Sequence, residues 1–260
     1  MARQWLFVSL YGGSDAPSGL PAVVPRVARL VRSGDPEACF FFSRTDEPTG
    51  RSVDLWLDAR PATRDAVADV LRAEPDAGWT PSAARTVTRP VRHPHESERD
   101  VRDELAAVAS EFALAVRHVD DPGPREALAL GVAHLRGVAG LLPEASRPAF
   151  LFQCWQRWSA GLSPRQRVAL AAGAGPVPEH GEQAAPAPLE AYLHRTRRTI
   201  RGQRPGQGLP EPYLLFHQTE AAHDRLGIPA GPSAAAALTV RGEILRRAAR
   251  VPVAASGDRL

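Results

Sequence analysis

The sequence predicts an α+β protein: a ferredoxin-like β-α-β-β-α-β sandwich over residues 1–95, then a mainly helical subdomain over residues 96–260. Three observations carry this. Short aromatic or β-branched runs alternate with helical-period segments through the first ninety residues. The polar joint "RHPHESERD" then breaks the composition. From Ser97 onward the apolar residues recur almost throughout at helical spacing.

The elements follow in order. "QWLFVSLY" (4–11) reads as a strand closed by Gly12-Gly13. "LPAVVPRVARLVRSG" (20–34) has helical periodicity, with Pro25 early enough to be tolerated and Gly34 as its stop. "EACFFFSR" (37–44) is a second strand, and after "TDEPTG" the alternation of Val53, Leu55 and Leu57 in "RSVDLWLD" makes a third. "TRDAVADVLRAEP" (63–75) is a helix with Thr63 as N-cap. "ARTVTRPV" (84–91) is a fourth strand, at an edge because Pro90 cannot donate. Helices follow at roughly 97–119, 124–142, 147–160, 164–172, 187–202, 213–226 and 234–249. The stretches "GAGPVPEHGEQAAPAP" and "GQRPGQGLPEP" are too rich in Pro and Gly to be helical, and loops of that length are often functional.

Composition sets bounds. A chain of 260 residues buries roughly 70–75% of its unfolded surface, enough for a core without disulfides or metals. All 32 basic residues are Arg, which fits GC-rich coding before it fits phosphate recognition. The net charge of +3 comes with interspersed acids and no basic block, so nucleic acid is not expected as a partner, whereas an acidic peptide fits. Cys39 and Cys154 sit in apolar aromatic settings, where structural burial in a reducing compartment is expected. No apolar run is long enough for a signal peptide or a membrane span, which predicts a cytoplasmic protein.

The densest chemistry lies in "PYLLFHQTEAAHDRLG" (212–227). Zinc-binding helices place two histidines four apart, but His217 and His223 are six apart, about 120° out of register on a helix of ~3.6 residues per turn. Neither a metal nor a cofactor is expected. No G-x-S-x-G elbow and no phosphate loop occurs. What remains is acid/base chemistry: His217, which exchanges protons near neutrality, Gln218, which can orient an amide, and Tyr192 among the arginines of "LEAYLHRTRR", Arg195 included. Ser159 and Trp155 in "FQCWQRWSAG" add a hydroxyl and a stacking wall. Each has an ordinary structural reading as well: Tyr192 as a half-buried helix residue, Trp155 as a core anchor, His217 as a satisfied histidine.

Two stretches together resemble a known family. "WLFVSLYGG" followed by "FFFSRTDEPTGRSVDLWLDA" is similar to the opening of the C-terminal, elimination-type domain of lantibiotic dehydratases and their thiopeptide relatives, the aromatic strand ending in Arg44. "FHQTEAAHDRLGI" resembles that family's late helix, His-Met-x-x-Asn-Arg-Leu-x-Gly: His217 fits the His, Asp224 replaces the Asn, and Arg225, Leu226 and Gly227 match. The resemblance implies the fold given above and one of two activities. One is glutamate elimination from glutamylated Ser or Thr to give dehydroalanine. The other is the formal [4+2] aza-cycloaddition of two dehydroalanines that builds the central pyridine of a thiopeptide, with loss of water and the leader peptide.

Elimination domains carry His-x-Arg-x-Arg on the third strand, a grip for glutamyl carboxylates. Here the strand reads "GRSVDLWL", with Asp54 and Trp56 in its middle and Arg51 before it. A carboxylate there has the wrong sign, and a bidentate Arg has been lost. The resemblance so read implies a pyridine synthase, with His217 and Tyr192 moving protons, Gln218 orienting the amide, Ser159 as a supporting donor, and Trp155, Arg44 and Arg195 contacting substrate. Its partner would be a modified precursor peptide with an acidic leader, held by the exposed arginines of the ferredoxin-like part. The glutamate-eliminating lyase and a non-catalytic leader-recognition protein are the alternatives, and the oligomeric state stays open, a homodimer included.

Overall fold

The computed structural model describes residues 4–14, 16–17, 19–47, 50–73, 76, 78–88, 96–116, 122–173, 187–203 and 209–250. Most of the two expected Pro/Gly loops, at 174–186 and 204–208, lies outside these residues, as do His93 and His95 of the joint and the expected strand end at Pro90. The chain forms two compact units, one of residues 1–123 and 186–229, the other of residues 124–185 and 230–260. The division therefore does not follow the joint near residue 95, because three helices beyond it belong with the sheet.

The first unit opens with β1 (Gln4–Gly12), α1 (Val23–Gly34), β2 (Cys39–Glu47), β3 (Gly50–Asp58), α2 (Pro61–Ala73), β4 (Trp79–Pro81) and β5 (Arg85–Thr88). The sheet order is β2-β3-β1-β4, with β5 also on β1 and every pairing antiparallel. This is the expected ferredoxin-like order, except that the fourth strand comes in two pieces. Ser82 marks the break: its Oγ accepts the Ser9 N–H at 3.0 Å and its N–H donates to the Ser9 carbonyl at 2.7 Å. The first piece gives no sequence signal, since "WTP" is too short to show a period.

Directly opposed residues share a face. One face stacks Leu6, Val8 and Leu10 against Leu57, Leu55 and Val53, with Phe40 and Phe42 beside them, all buried. Ala28 and Val31 of α1 line the same cleft as Phe40, so α1 lies over this face. Gly12 lets the end of β1 approach closely: a Cβ there would meet Ala16 at 3.1 Å and the Trp79 ring at 3.3 Å. The N-terminus of α1 has no local cap, and Asp76 Oδ2 accepts the Val23 N–H at 2.7 Å instead. Thr63 is not the N-cap of α2; it lies inside the first turn, buried, because the helix starts at Pro61, where a missing N–H costs nothing.

Three more helices complete this unit: α3 (Glu96–Val116), α7 (Ala187–Arg201) and α8 (Glu211–Arg225). α3 covers the outer edge of β2, which would otherwise present unpaired backbone groups. Ser110 forms the joint. Its Oγ accepts the Phe42 N–H at 3.1 Å and Arg225 Nε–H at 3.0 Å, and donates to the Ala106 carbonyl at 2.9 Å. That uses the hydroxyl's one proton and both lone pairs, tying strand, α3 and α8 together at one buried atom.

The second unit contains α4 (Pro124–Leu141), a short 3₁₀ turn at Glu144–Ser146, α5 (Arg147–Ser159), α6 (Pro164–Gly173) and α9 (Ala230–Arg250). α9 turns Ser233, Ala234, Ala236, Ala237 and Val240 inward, and these small side chains let it pack closely on α5 and α4. Val132, Leu135, Val138, Phe150, Leu151 and Trp158 fill the core. Cys154 is buried there as expected, while Cys39 on β2 is only half-buried, its Sγ 3.7 Å from the Asp103 carbonyl. His134 is fully buried, and loss of solvation lowers its pKa to about 3. Among the described residues no helix is long and apolar enough to cross a membrane.

Candidate functional site

α8 carries the histidine-rich stretch, and its ends are set by local chemistry. Pro212 falls in the first turn, where a missing N–H is tolerated, and Glu211 sits at the positive end of the helix dipole. At the other end Gly227 takes φ +63°, the Gly227 N–H donates to the Asp224 carbonyl at 3.1 Å and the Ile228 N–H to the His223 carbonyl at 3.0 Å. This is a complete Schellman cap, and it gives Gly227 a structural role in this chain.

Successive helical residues point about 100° apart, and this divides the stretch in two. Tyr213, His217 and Asp224 are exposed and Glu220 is half-buried, at positions i, i+4, i+11 and i+7 of one face. Gln218, Thr219, His223 and Arg225 are buried.

The exposed face forms a compact cluster. His217 is 50% exposed, with Nδ1 3.7 Å from Glu220 Oε2. Its ring meets Tyr213 edge-on at 4.4 Å and Phe216 at 5.3 Å. Arg102 of α3 donates from Nη2 to the Tyr213 hydroxyl at 3.4 Å, its guanidinium 6.0 Å from the ring centre. A carboxylate on the Nδ1 side favours a proton there and leaves Nε2 to exchange protons with a ligand. The arginine occupies a lone pair of the phenol, whose own proton can then point outward. Sequence reasoning missed Tyr213, Glu220 and Arg102. The first two carry a readable signal, their i−4 and i+3 spacing from His217; Arg102 comes from another helix and carries none.

Gln218 and Tyr192 do come together, but in the interior. Gln218 is 4% exposed and donates from Nε2 to the Leu105 carbonyl at 2.9 Å. Tyr192 is 2% exposed and stacks on Phe112 at 4.6 Å, with Thr196 and Gln218 near its hydroxyl. Burial pushes its phenol pKa well above the usual range, outweighing Thr196, Gln218 and the Arg225 charge, which favour ionisation. The arginines near Tyr192 therefore do not make it a phenolate. Arg225 donates from Nε to Ser110 and from Nη1 to the Ala221 carbonyl at 2.9 Å, so it anchors the helix.

The other expected site residues sit on different elements. Ser159 and Trp155 belong to the helical unit, not to the unit that holds His217, Gln218 and Tyr192. Ser159 is 2% exposed and its Oγ reaches only the Gln156 carbonyl of its own helix, at 3.5 Å. Trp155 stacks on Phe152 at 5.5 Å. Arg44 is half-buried on β2, opposite Val53. Arg195 is ion-paired with Glu111 and lines a cleft of about 560 Å³ between α1, β2 and α3, where Asp35, Glu37, Asp103, Glu104 and Glu111 outnumber Arg32 and Arg195. Among the described residues no three His, Cys, Asp or Glu side chains converge as metal ligands would.

The family's late-helix signature sets its His five residues before its Arg. Five before Arg225 stands Glu220, and His217 is eight before. By this count His217 stands three residues out of the signature's spacing, one turn before Glu220 on the same face.

No family model matches the sequence, and no curated protein matches it. Among solved structures the chain is similar to the tRNA-dependent lantibiotic dehydratase MibB from Microbispora sp. 107891, with TM-score 0.59 and 16% identity over 94% of this chain and 28% of that one. The chain thus spans little more than a quarter of that dehydratase's length. It is also similar to the pyridine synthase TbtD from thiomuracin biosynthesis, with TM-score 0.48 and 16% identity over 94% of this chain and 98% of that one. At such identity the likeness to the dehydratase is one of fold.

Proposed function

We propose that this protein is a member of the lantibiotic dehydratase elimination-domain family and works in thiopeptide biosynthesis as a cofactor-independent pyridine synthase. The shared fold with MibB and the two resembling stretches support the family. The choice of reaction rests on one observation. Asp54, at the centre of β3 where elimination domains have arginine, is half-buried and accepts Ser9 Oγ–H at 2.6 Å. A carboxylate so held repels a glutamyl group, whereas it is compatible with a neutral dehydroalanine substrate.

The reaction joins a 2-azadiene, the imidic-acid tautomer of one dehydroalanine's amide, to the C=C of a second dehydroalanine. Two carbon–carbon bonds form; loss of water and then of the leader amide leaves the aromatic ring. Holding two distant dehydroalanines face to face can supply roughly 7–11 kcal/mol, whereas a single general acid contributes about 10²–10⁴-fold. Shape dominates, and proton transfer assists. In this reading His217 moves the proton, with Glu220 holding its ring. Tyr213, fixed by Arg102, donates to the amide oxygen as it becomes the leaving hydroxyl. Gln218 and Tyr192 position α8 against α3 and α7 from the buried side.

Mass spectrometry of a dehydrated, azole-bearing precursor peptide incubated with the protein tests the proposal. A pyridine macrocycle together with a released leader amide is expected. Conversion of a glutamylated peptide to dehydroalanine would establish the lyase instead, and binding without any mass change a recognition protein.

A further inference from the structure

The charge of the chain is unevenly divided. The helical unit (residues 124–185 and 230–260) has eleven arginines against six carboxylates, a net +5. The sheet-bearing unit has twenty-one against twenty-three, a net −2, and the ferredoxin-like stretch 1–95 alone has twelve against eleven. The sandwich alone is near neutral, so the helical unit is the part whose net charge attracts an acidic peptide more strongly.

That unit also exposes apolar surface. Phe152 (39%), Val168 (69%) and Leu245 (42%) are three of the five exposed large hydrophobic residues among the described ones. On α5, Phe152 and Trp155 stack at 5.5 Å with an interplanar angle of 29°. Arg241 of α9 sets its guanidinium 5.4 Å from the Phe152 ring centre and donates from Nε to the Pro148 carbonyl at 3.3 Å, which fixes it beside the aromatic pair. Further along α9 Arg246, Arg247 and Arg250 are exposed, and the helix's one carboxylate, Glu243, is engaged by Arg136 through contacts of 2.9, 3.0 and 3.2 Å. An aromatic pair edged by an oriented arginine, in a unit of net charge +5, has the composition of a binding hot spot.

We infer that the Phe152–Trp155–Arg241 surface of the helical unit docks an acidic peptide segment that carries an apolar anchor. A carboxylate meets Arg241 and the anchor lies on the aromatic pair, while the net charge of the unit attracts the rest of the acidic segment. The inference rests on the proposed function only in taking that segment to be the precursor's leader; the surface and its charge do not depend on which reaction follows.

Fluorescence anisotropy with a fluorescein-labelled peptide of repeating Glu-Glu-Leu tests this without turnover. Wild type should bind, and affinity should fall as salt rises. Phe152→Ser combined with Trp155→Ser should weaken binding by at least about tenfold. Arg241→Gln, a milder change that leaves the apolar surface alone, should weaken it several-fold and flatten the salt dependence. Arg85→Gln on the exposed edge of the sheet should change nothing. Equal affinity in wild type and all variants overturns the inference, as does a loss confined to Arg85→Gln. Tighter binding of an oligothymidylate, abolished by the same variants, overturns it in favour of a nucleic-acid surface. Circular dichroism of each variant separates lost docking from lost folding. Docking without any pyridine product would count against the proposed reaction alone, and a pyridine product with no effect of these variants against the docking surface alone.

Discussion

The two faces of α8 have much the same residue types and opposite fates. On one, Tyr213, His217 and Glu220 meet water and one another; on the other, Gln218, Thr219 and Arg225 are closed off from it. The inner face spends its hydrogen bonds on the protein: Gln218 on the Leu105 carbonyl, Thr219 on the Leu215 carbonyl, Arg225 on Ser110 and the Ala221 carbonyl. A buried polar group must be satisfied internally, and once satisfied it has little left for a substrate. Burial, more than residue type, therefore separates groups that can perform chemistry from groups that hold the scaffold.

The sharpest way to break this comparison is to truncate each face in turn. Arg225→Ala removes a buried guanidinium with two hydrogen bonds and leaves a cavity, and should cost about 3 kcal/mol or more in urea unfolding. If Arg225→Ala unfolds like wild type but loses turnover, the inner face is functional and the division fails. His217→Ala should do the reverse. We expect kcat to fall by about 10²-fold, equivalent to about 2.7 kcal/mol of barrier, with stability unchanged within about 0.5 kcal/mol. Glu220→Gln should lie between wild type and His217→Ala in kcat, since it loosens the imidazole without removing it.

Where the sequence was sufficient and where it was not follows from the reach of each signal. Periods of two and 3.6 residues are local, so strands at β1 to β3 and every helix were legible within a few residues. The short β4 had no period to show, and Thr63 looked like a cap because the helix start at Pro61 depends on packing. The site was legible only by half. His217 stood out by type, but pairing it with Gln218 ignored the 100° between neighbours on a helix. The arginines around Tyr192 in sequence suggest a reactive phenol. Its behaviour is set instead by Phe112 of α3, some eighty residues earlier in the chain, and by complete burial. Ser159 and Trp155 belong to the other compact unit, a division that residue spacing does not reveal.

The contrast extends to pH. His134 is buried neutral, with a folded pKa of about 3 against 6.5 when unfolded. Below pH 6.5 the unfolded chain therefore takes up a proton that the folded chain does not, and stability falls as pH falls through that window to about 3. The slope should approach about 1.4 kcal/mol per pH unit in urea unfolding, and His134→Leu should flatten it. An unchanged slope in His134→Leu would mean that other groups carry the acid sensitivity.

Tyr192→Phe gives the smallest effect and the finest test of the division. The substitution removes one buried hydroxyl and leaves the Phe112 stack, so stability should change by no more than about 1 kcal/mol. Burial holds the folded phenol neutral above its ordinary range near 10, whereas the unfolded chain ionises there. Unfolding then releases a proton, so in wild type stability is intact below about pH 10 and declines as pH rises beyond it. Tyr192→Phe should lose that alkaline decline. If Tyr192 only positions α7 against α3 and α8, kcat in the variant stays within a few-fold of wild type and its pH profile keeps its shape. If its hydroxyl exchanges protons with the substrate, kcat drops by about 10²-fold or more while stability moves no further than that. The two measurements together decide whether the inner face opens to the substrate during turnover, which stability alone cannot reveal.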